Sequence, residues 1–382
     1  MTPIAFYAPL KSPDHAVPSG DRTMARLVLA ALRHAGFEPD LASELRTLDL
    51  AGDTGIQTAL RAASEEEADR LIGLYSTRPM RQRPSLWFTY HCHYKAPDWL
   101  GPRVSRALGI PYVVAEGSRS ARRAHGAWAL GHAGAEAALD VADCLLVMTP
   151  SDAEDLEPAL HPGQALVPLP PFLDASAWPQ AARAAPRGDG PLRLLTVAMM
   201  REGDKLASYR LLAQALSRLP PGAQWSLDIV GDGSARTEVE SLFAGFGERI
   251  RHHGVIHVRD LLADLYAGAD LLVWPAFGEA YGMTLLEAQA CGCPVLAGRE
   301  GGVPAVVLDG ETGILVAPRN ADAFAEALVG LIHRPDDLAR MGERARDFVR
   351  RGRDVPHAAA ILDAALRPLL TQRAPALAGP VS

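Results

Sequence analysis

The sequence predicts an α/β protein with two parallel sheets in tandem, each covered by helices on both faces. Short apolar runs alternate with longer amphipathic segments, which is the rhythm of βαβ units. This rhythm breaks once, in a stretch rich in Pro, Ala and Gly at 169–191. The chain has 382 residues, 48% of them hydrophobic, which is more than one ordinary core holds. We therefore expect two domains.

The domain boundaries follow from the break in rhythm. Residues 1–174 form the predicted first domain, 175–190 the linker, and 191–350 the second domain. A last helix is predicted at 356–372, and we expect it to pack back against the first domain.

Strands and helices alternate in order in both domains. The first domain has predicted strands at 4–9, 86–91, 111–115 and 144–148, with helices at 21–36 and 98–109. The second has predicted strands at 193–198, 225–230, 270–274, 293–297 and 313–317, with helices at 206–219, 235–247, 259–269 and 321–333. Parallel sheets of this kind bind ligands beyond the carboxyl ends of their strands, so functional residues are expected in the loops that follow strands.

Composition excludes several classes of protein. A net charge of -7 argues against general nucleic-acid binding, which needs a basic face. The cysteines lie mostly in apolar surroundings, which predicts reduced core residues and no disulfide framework. The start of the chain resembles a strand more than a signal peptide, and no run approaches the ~20 apolar residues of a spanning helix. We expect a soluble, cytoplasmic protein that at most lies on the inner membrane face.

The stretch FGEAYGMTLLEAQACGCPV at 277–295 predicts a helix whose start binds an anion. Gly292 and Pro294 end this helix. The first backbone amides of a helix lack intrahelical acceptors, and together with the helix dipole they suit a phosphate. The predicted amides belong to Gly282, Met283, Thr284 and Leu285.

Two carboxylates flank this helix start. Glu287, about one turn into the helix, suits a diol such as the hydroxyls of a ribose. Glu279, in the preceding loop, suits the hydroxyls of a second sugar. Amides between two carboxylates match the ribose, diphosphate and sugar of a nucleotide-sugar. The alternative is a pair of solvated acids near a helix N-terminus, where acids are favoured in any case.

The segment GEAYGMTLLEAQACGCPVLAGREGGVPAVVLDGETGILVAP at 278–318 resembles the C-terminal signature of the retaining GT-B glycosyltransferases of family four, the glycosyl transferases group 1. Three further segments resemble others of that family in the same order: PSGDRTMARLVLAALRHAGFEP, LDIVGDGSARTEVESL and HHGVIHVRDLLADLYAGADLLVWPA. The resemblance is close over most of 190–350 and looser in the N-terminal half.

The resemblance implies a GT-B fold, with two Rossmann-like domains facing each other across a cleft and the donor bound by the C-terminal one. It implies that Glu279 contacts the donor sugar, that Glu287 contacts the ribose, and that the amides of 282–285 hold the distal phosphate. It also implies transfer with retention of anomeric configuration.

Arg201 and Lys205 follow the first strand of the second domain. The resemblance implies a catalytic Arg and Lys at this place, where fixed cations stabilise the departing nucleoside diphosphate. The family usually spaces them five residues apart, whereas here they are four apart, and a solvated Arg is the alternative for Arg201. The chain has no DxD motif. We therefore expect no metal, and no cofactor besides the nucleotide-sugar co-substrate.

Gly231 and Gly20 are the remaining candidates for donor binding. Gly231 opens a GDG turn after a strand, but the third glycine of a dinucleotide fingerprint would fall at Arg236. A glycine-rich turn close to the nucleotide is the better interpretation. Gly20 follows the first strand and permits backbone approach to the diphosphate, and Asp21 is expected to act as a helix cap.

The segment TYHCHYK at 89–95 predicts an acceptor site at His91, His93 and Tyr94, because polar and aromatic groups follow a strand end. A packed core histidine is an equal alternative, and a zinc site is disfavoured because no second ligand pair has suitable spacing. After the strand at 111–115 the resemblance implies a histidine near the reaction centre. The chain has Glu116 there, which is the expected catalytic stand-in.

Arginines cluster twice in the first domain and predict a basic patch. They are Arg78, Arg81, Arg83, Arg119, Arg122 and Arg123. Such a patch suits an anionic acceptor or an anionic lipid, although a solvated basic face is the commoner outcome.

These features predict a metal-independent glycosyltransferase that moves a sugar from a nucleotide-sugar to a hydroxyl of a carbohydrate, lipid-linked or small-molecule acceptor. No nucleic-acid partner is expected, peripheral membrane contact is compatible with the sequence, and no oligomeric state is predicted. Two alternatives remain open. One is a sugar-nucleotide epimerase or a phosphorylase of the same fold, and the other is a non-catalytic nucleotide-sugar-binding protein.

Overall fold

The computed structural model describes residues 2–17, 19–178 and 190–372, which belong to two compact units. The first unit runs to Pro170 and takes up the chain again from Val355, whereas the second spans Pro171–Asp354. The first unit is therefore built from both ends of the described chain.

The sheet of the first unit has six parallel strands in the order β2-β1-β3-β4-β5-β6. They are β1 (Thr2–Tyr7), β2 (Phe37–Ser43), β3 (Trp87–Cys92), β4 (Tyr112–Gly117), β5 (Cys144–Val147) and β6 (Ala165–Pro168). The strands β1 and β3 pair with Ala5 opposite Trp87, and the strand order changes direction between them.

Helices cover this sheet and bury its large side chains. They are α1 (Gly20–His34), α2 (Thr54–Thr77), α3 (Gly101–Leu108), α4 (Ala129–Val141), α5 (Pro150–Leu156) and α12 (Val355–Gln372). The core cluster contains Tyr7, Trp87 and Tyr112, each at most 1% exposed. Helix α12 packs against α1 with Leu362 and Leu366 buried.

The sheet of the second unit also has six parallel strands, in the order β12-β11-β10-β7-β8-β9. They are β7 (Leu192–Val197), β8 (Trp225–Val230), β9 (Ile250–Gly254), β10 (Leu271–Trp274), β11 (Val295–Gly298) and β12 (Gly313–Val316). Here the order changes direction between β7 and β10, which pair with Leu194 opposite Leu271.

Four helices of the second unit lie between its strands along the chain, and two more follow β12. They are α6 (Asp204–Ser217), α7 (Arg236–Phe243), α8 (Arg259–Gly268), α9 (Met283–Ala290), α10 (Ala321–Ile332) and α11 (Pro335–Gly352). Helix α7 ends earlier than the predicted 235–247, because a 3₁₀ turn follows at Ala244–Arg249 in which Gly247 has a positive φ of 60°.

Several elements were not predicted: β2, β6, β9, α2, α4, α5 and α11. Within the three described ranges, no helix is long and apolar enough to cross a membrane.

Candidate functional site

The point at which the strand order changes direction marks the expected ligand site of a doubly wound sheet, since the loops at the carboxyl ends diverge there. In the first unit this point lies after β1 and β3, which lead to Asp21 and His91. In the second it lies after β7 and β10, which lead to Lys205 and Glu279. Both units thus place predicted site residues at this point.

Lys205 and Glu279 form an ion pair in the second unit. The Lys205 ammonium donates to Oε1 of Glu279, and Nε1 of Trp274 donates to the same oxygen at 2.8 Å. The Lys205 nitrogen lies 5.4 Å from the centroid of the Trp274 ring. The side chains of Lys205 and Glu279 are 31% and 13% exposed. Lys205, predicted to bind the diphosphate, and Glu279, predicted to bind the sugar of the same donor, are therefore in direct contact.

The loop that carries Glu279 has an unusual backbone conformation. Ala276 has a φ of 64°, which is costly for a residue with a Cβ, and Gly278 has a φ of 57°. The Phe277 amide donates to the Ser208 hydroxyl of α6 at 3.0 Å. The loop is thus held in a strained conformation against the helix that carries Lys205.

Gly301 supports the same loop from another side. Its φ is 55°, and a Cβ there would collide with the backbone carbonyl of Glu279. The amide of Gly302 donates to that carbonyl at 3.4 Å. The Glu279 loop therefore requires a glycine at position 301, because only a residue without a Cβ lets the two backbone segments approach this closely.

The start of α9 offers fewer open amides than predicted. Gly282 is the N-cap, with a φ of 79°. The Leu285 amide donates to the Gly282 carbonyl at 3.0 Å, because the first turn tightens, so this amide is not open. In the described part of the chain, the amides of Gly282, Met283 and Thr284 have no hydrogen-bond acceptor. Three of the four predicted donors remain for an anion.

Glu287 lies on α9 and is held by Tyr266 of α8. The Tyr266 hydroxyl donates to Oε2 of Glu287 at 3.1 Å, and its ring packs edge-on against Trp178, with centroids 5.8 Å apart. Burial raises the pKa of Glu287, while Tyr266 and the charge of Arg259 partly offset this effect. The carboxylate predicted for a ribose is therefore oriented by an aromatic partner that the sequence analysis missed.

Arg201 and Gly231 have different surroundings. Arg201 is exposed, and its guanidinium has no partner among residues 2–17, 19–178 and 190–372. Gly231 has a φ of 149°, and a Cβ there would collide with the carbonyl of Ala198. Packing against the β7 loop is a sufficient reason for a glycine at this position, and its predicted contact with a nucleotide stays a prediction.

The first unit gathers Asp21, His91 and Glu116. Nδ1 of His91 lies 3.1 Å from Oδ1 of Asp21 and 3.8 Å from Oε1 of Glu116. His91 and Glu116 have φ values of 61° and 55°, although both carry a Cβ. Strained backbone at the ends of two adjacent strands directs both side chains to one place, which is common at functional sites.

The charges of this cluster are coupled. Burial lowers the pKa of His91, but the carboxylates of Glu116 and Asp21 outweigh burial, so the pKa lies above its usual value. Burial raises the pKa of Glu116, and His91 offsets this only in part. Burial also acts to raise the pKa of Asp21, but its hydrogen bond with His91 lowers the pKa overall. The cluster therefore favours a protonated imidazole beside Asp21.

Asp21 is not the cap of α1, contrary to the prediction. Ser19 is the N-cap, and its hydroxyl accepts from the Arg22 amide at 3.2 Å. Asp21 lies two residues after this cap, in the first turn of α1, and its carboxylate contacts His91 instead. Among the described residues, none lies within 4 Å of the Cβ position of Gly20, so that side of the backbone is open.

His93 and Tyr94 have distinct surroundings. Nδ1 of His93 accepts from the Ala96 amide at 3.2 Å, closing a turn. Burial, together with the charge of His91, lowers the pKa of His93 to about 3, so this imidazole is neutral. Tyr94 packs edge-on against Trp128, with ring centroids 5.8 Å apart. The position of Trp128 carried no signal in the sequence, because it lies 34 residues beyond Tyr94 in a loop.

The predicted arginine patch is divided. Arg119 is bound by Glu136 and by Asp140, the latter at 2.6 Å. Arg83 donates to backbone carbonyls, including that of Arg78 at 2.8 Å. The patch is therefore not a single set of free cations. In the portion of the chain described, no group of three or more His, Cys, Asp or Glu side chains is arranged to hold a metal ion.

Comparison with known proteins finds a family match in the second unit. A family model described as "Glycosyl transferases group 1" matches residues 191–334. A curated D-inositol 3-phosphate glycosyltransferase from Arthrobacter sp. (strain FB24) is 27% identical over 293 residues, which are 69% of this chain and 67% of that protein. Two further curated proteins of the same name are aligned over 60% and 49% of their own length. The chain thus spans between half and two thirds of these relatives.

Solved structures resemble this chain over nearly its full length. Sucrose-phosphate synthase from Thermosynechococcus elongatus has a TM-score of 0.73 at 20% identity, over 97% of this chain and 100% of that one. HepE from Anabaena, in complex with UDP and glucose, has a TM-score of 0.66 at 15% identity, over 96% and 99%. At these identities the likeness concerns the fold. The predicted α/β class of the GT-B type is confirmed.

Proposed function

We propose that this protein, which has the GT-B fold and matches the Glycosyl transferases group 1 model over residues 191–334, transfers a sugar from a nucleotide-sugar to an acceptor hydroxyl. The family match and the named relatives support a glycosyltransferase. Retention of configuration and independence from metal are part of the proposal. The observation that carries the proposal is the Lys205–Glu279 pair, which lies at the point where the strand order of the second sheet changes direction. Glu279 also lies three residues before Gly282, the first of the open amides at the start of α9.

The second unit supplies complementary groups for the ribose, the diphosphate and the sugar of a nucleotide-sugar. The amides of Gly282, Met283 and Thr284 suit a phosphate, because they are open donors at the positive end of a helix. Glu287 accepts hydrogen bonds from a ribose diol, and Glu279 accepts them from the sugar. In this arrangement the diphosphate lies between the two carboxylates.

The Lys205–Glu279 pair gives the donor site a way to respond to its ligand. With no diphosphate bound, each group neutralises the other. A bound diphosphate attracts the Lys205 ammonium, which releases Oε1 of Glu279 to accept hydroxyl donors. As the bond between the sugar and the diphosphate breaks, negative charge develops on the leaving oxygen, and Lys205 with the exposed Arg201 stabilises it.

The proposed transfer keeps the new bond on the face that the diphosphate leaves. The bond from the anomeric carbon to the phosphate oxygen breaks, and the bond from that carbon to the acceptor oxygen forms. The acceptor proton passes to an oxygen of the departing diphosphate. Asp21, His91 and Glu116 then act as orienting groups for hydroxyls, and Glu116 need not remove the proton.

The structures of HepE from Anabaena indicate the first donors to test. HepE is described with UDP and glucose, and also with UDP-glucose. A thermal-shift screen with UDP-, GDP-, dTDP- and ADP-glucose should show a higher midpoint of unfolding with at least one of them, since a ligand that binds only the folded state stabilises it. Lys205→Gln and Glu287→Gln should each reduce that shift.

Arg210→Gln is the matched control for this screen. Arg210 lies on α6, as Lys205 does, but pairs with Glu238 on the exposed surface. The proposal requires that this variant keep the full shift. The proposal is wrong if no nucleotide-sugar stabilises the protein, or if Lys205→Gln and Glu287→Gln bind the donor as tightly as the unmodified chain does. Product analysis with and without an acceptor separates transfer from epimerisation, phosphorolysis and binding alone.

A further inference from the structure

Three loops at the carboxyl ends of neighbouring strands meet beside Glu279. The strands are β10, β11 and β12, which lie next to one another in the second sheet. Phe277 follows β10, Glu300 follows β11 and Arg319 follows β12. We call these three residues the clasp. Because parallel strands end at the same edge of a sheet, contacts among their loops connect positions that are distant along the chain.

Arg319 contacts both other members of the clasp. Its guanidinium donates two hydrogen bonds to the Glu300 carboxylate, from Nε at 3.2 Å and from Nη2 at 2.5 Å. The same guanidinium lies 5.0 Å from the centroid of the Phe277 ring. A paired hydrogen bond and an aromatic face together fix the orientation of a guanidinium, which a single contact does not. Arg319 therefore connects Glu300 to the loop that carries Glu279.

The backbone at Arg319 is strained. Its φ of 57° lies in the left-handed region, which a residue with a Cβ adopts only at a cost. The residue directly follows Pro318 in an exposed turn. A glycine or an asparagine adopts this φ more easily, so the turn alone does not explain an arginine. The contacts of the guanidinium with the rest of the clasp do explain it.

The segment that carries Glu300 lies against both ends of the Glu279 loop. A Cβ at Gly298 would collide with the backbone carbonyl of Pro275. A Cβ at Gly301 would collide with the backbone carbonyl of Glu279. Close packing at two points leaves this loop little freedom to move independently of the segment. Glu300 lies between the two points.

The Glu300 carboxylate is a shielded anion that faces the Gly278 amide. Its hydrogen bonds with Arg319 lower the pKa of Glu300, burial opposes this effect, and a hydrogen bond from the Gly278 amide lowers the pKa again. The side chain of Glu300 is 18% exposed, whereas that of Arg319 is 61% exposed. A shielded carboxylate thus binds the amide of the residue before Glu279, and an exposed cation fixes that carboxylate.

Helix α6 contacts the other side of the same loop, since β7 and β11 lie on opposite sides of β10. A Cβ at Gly278 would collide with the Asp204 carboxylate. Asp204 directly precedes Lys205, whose ammonium pairs with Glu279. The loop therefore lies between the clasp and the start of α6. Loss of the clasp removes one of these two supports and lets Glu279 move relative to Lys205.

We propose that the clasp positions the Glu279 carboxylate for the donor sugar, with Arg319 as a positioning residue that acts through Glu279. This inference rests on the proposed function. The clasp contacts the loop that carries Glu279, whereas Glu287 is oriented by Tyr266 of α8. Loss of Arg319 should therefore weaken the contact with the sugar and leave binding of the nucleotide unchanged.

The indole N–H of Trp274 reports the position of Glu279 without any ligand, because it donates to Oε1 of that carboxylate at 2.8 Å. In an NMR spectrum of the full chain labelled with ¹⁵N on tryptophan, each of the six Trp residues gives one indole signal. The signal missing from Trp274→Phe is that of Trp274. Arg319→Gln should shift this signal. Arg319→Lys, which keeps the charge but not the paired donors, should shift it less.

Arg299→Gln is the matched control. Arg299 lies in the same loop as Glu300 and is also exposed, but it pairs with Asp309. Its replacement should leave the Trp274 signal in place. Phe277→Leu is a second test of the clasp, because it removes the ring but keeps an apolar side chain, and it should also shift the signal. Thermal unfolding of each variant shows that it is folded.

Titration calorimetry with UDP-glucose and UDP, or with the corresponding pair that the nucleotide-sugar screen identifies, tests the role in donor binding. In Arg319→Gln the affinity for UDP should be unchanged. The ratio of the affinity for UDP-glucose to that for UDP should fall by about fivefold, the effect of one lost hydrogen bond. Arg299→Gln should keep the full ratio.

Two results would overturn the inference. In one, Arg319→Gln shifts the Trp274 signal no more than Arg299→Gln does. In the other, the signal shifts but the ratio of the two affinities does not change. Failure of the proposed function is a separate result, because it appears as the absence of nucleotide-sugar binding to the unmodified chain, whereas the indole signal requires no ligand.

Discussion

The phenol of Tyr266 donates a hydrogen bond of 3.1 Å to the carboxylate of Glu287, and the two residues come from consecutive helices of the second unit. Burial of Glu287 favours its neutral form, whereas this hydrogen bond favours the charged one. Tyr266 therefore keeps Glu287 available as an acceptor of hydrogen bonds.

Replacing Tyr266 tests this relationship. Tyr266→Phe keeps the ring against Trp178 but removes the donor, so the pKa of Glu287 should rise further. We expect nucleotide-sugar binding to weaken by about 1 kcal/mol at neutral pH. The weakening should grow as the pH falls, because Glu287 then takes up a proton in a larger fraction of molecules. Titration calorimetry at several pH values measures both effects.

Tyr209→Phe is the control for Tyr266→Phe. Tyr209 is also buried in the second unit, and its hydroxyl donates to the carbonyl of Ala198 at 2.8 Å. Tyr209→Phe should lower the free energy of unfolding without making nucleotide-sugar binding more dependent on pH. Equal pH profiles for the two variants would contradict the role assigned to Tyr266.

The coupling of His91 to two carboxylates predicts its titration. The His91 imidazole should titrate above its ordinary value of about 6.5, and Glu116→Gln should lower its pKa by removing a negative charge. Because the pKa is raised in the folded state, this group stabilises the fold below its ordinary pKa. That contribution is lost as pH rises through the folded pKa. Imidazole signals in NMR spectra follow the titration, and a pKa unaffected by Glu116→Gln would disprove the coupling.

Gln57 makes three hydrogen bonds while almost fully buried. Gln57→Ala leaves the Gly131 amide and the Ala127 carbonyl without this partner, which should cost about 1–3 kcal/mol of the free energy of unfolding. Thr58→Ala, which removes an exposed hydrogen bond on the same helix, should cost much less. Urea unfolding compares the two variants. If they lose the same stability, the Gln57 network does not support the first unit.

Gly231 should not tolerate a side chain. Gly231→Ala forces a Cβ against the Ala198 carbonyl at a φ of 149°, so we expect a loss of at least about 1–3 kcal/mol in the free energy of unfolding. Gly222 lies in an exposed turn without a positive φ, and no described atom lies within 4 Å of its Cβ position. Gly222→Ala should therefore be nearly neutral. Circular dichroism during urea unfolding measures the difference, and similar losses would refute the packing argument.

Local patterns predicted the central parts of both sheets well, because buried parallel strands appear as continuous apolar runs. The strand Trp225–Val230 matches its prediction at both ends. Three of the four edge strands, β2, β6 and β9, were missed, whereas the edge strand β12 was predicted. Strand β9 is IRHHG, half-exposed and polar, and so carries no such run. Helix α2 was missed because its buried positions include Gln57 and Ser64, which interrupt the apolar face.

The rule that ligands bind beyond strand ends selected Lys205, Glu279 and His91, and the structure shows each of them in contact with another charged residue near a strand end. The partners could not be predicted, because Lys205 and Glu279 are 74 residues apart, and His91 and Asp21 are 70 apart. A local capping rule assigned Asp21 to the helix start, whereas Ser19 occupies that role. Long-range pairing depends on strand order, which a single sequence does not display.

Helix α12 has a consequence for the order in which the molecule forms during synthesis. The chain leaves the first unit at Pro170 and returns at Val355, so the ribosome makes the entire second unit before the last helix emerges. Until then α1 lacks the helix that packs against it in the finished protein. The nascent first unit is therefore incomplete until synthesis has passed the whole second unit, which by then is already free to fold.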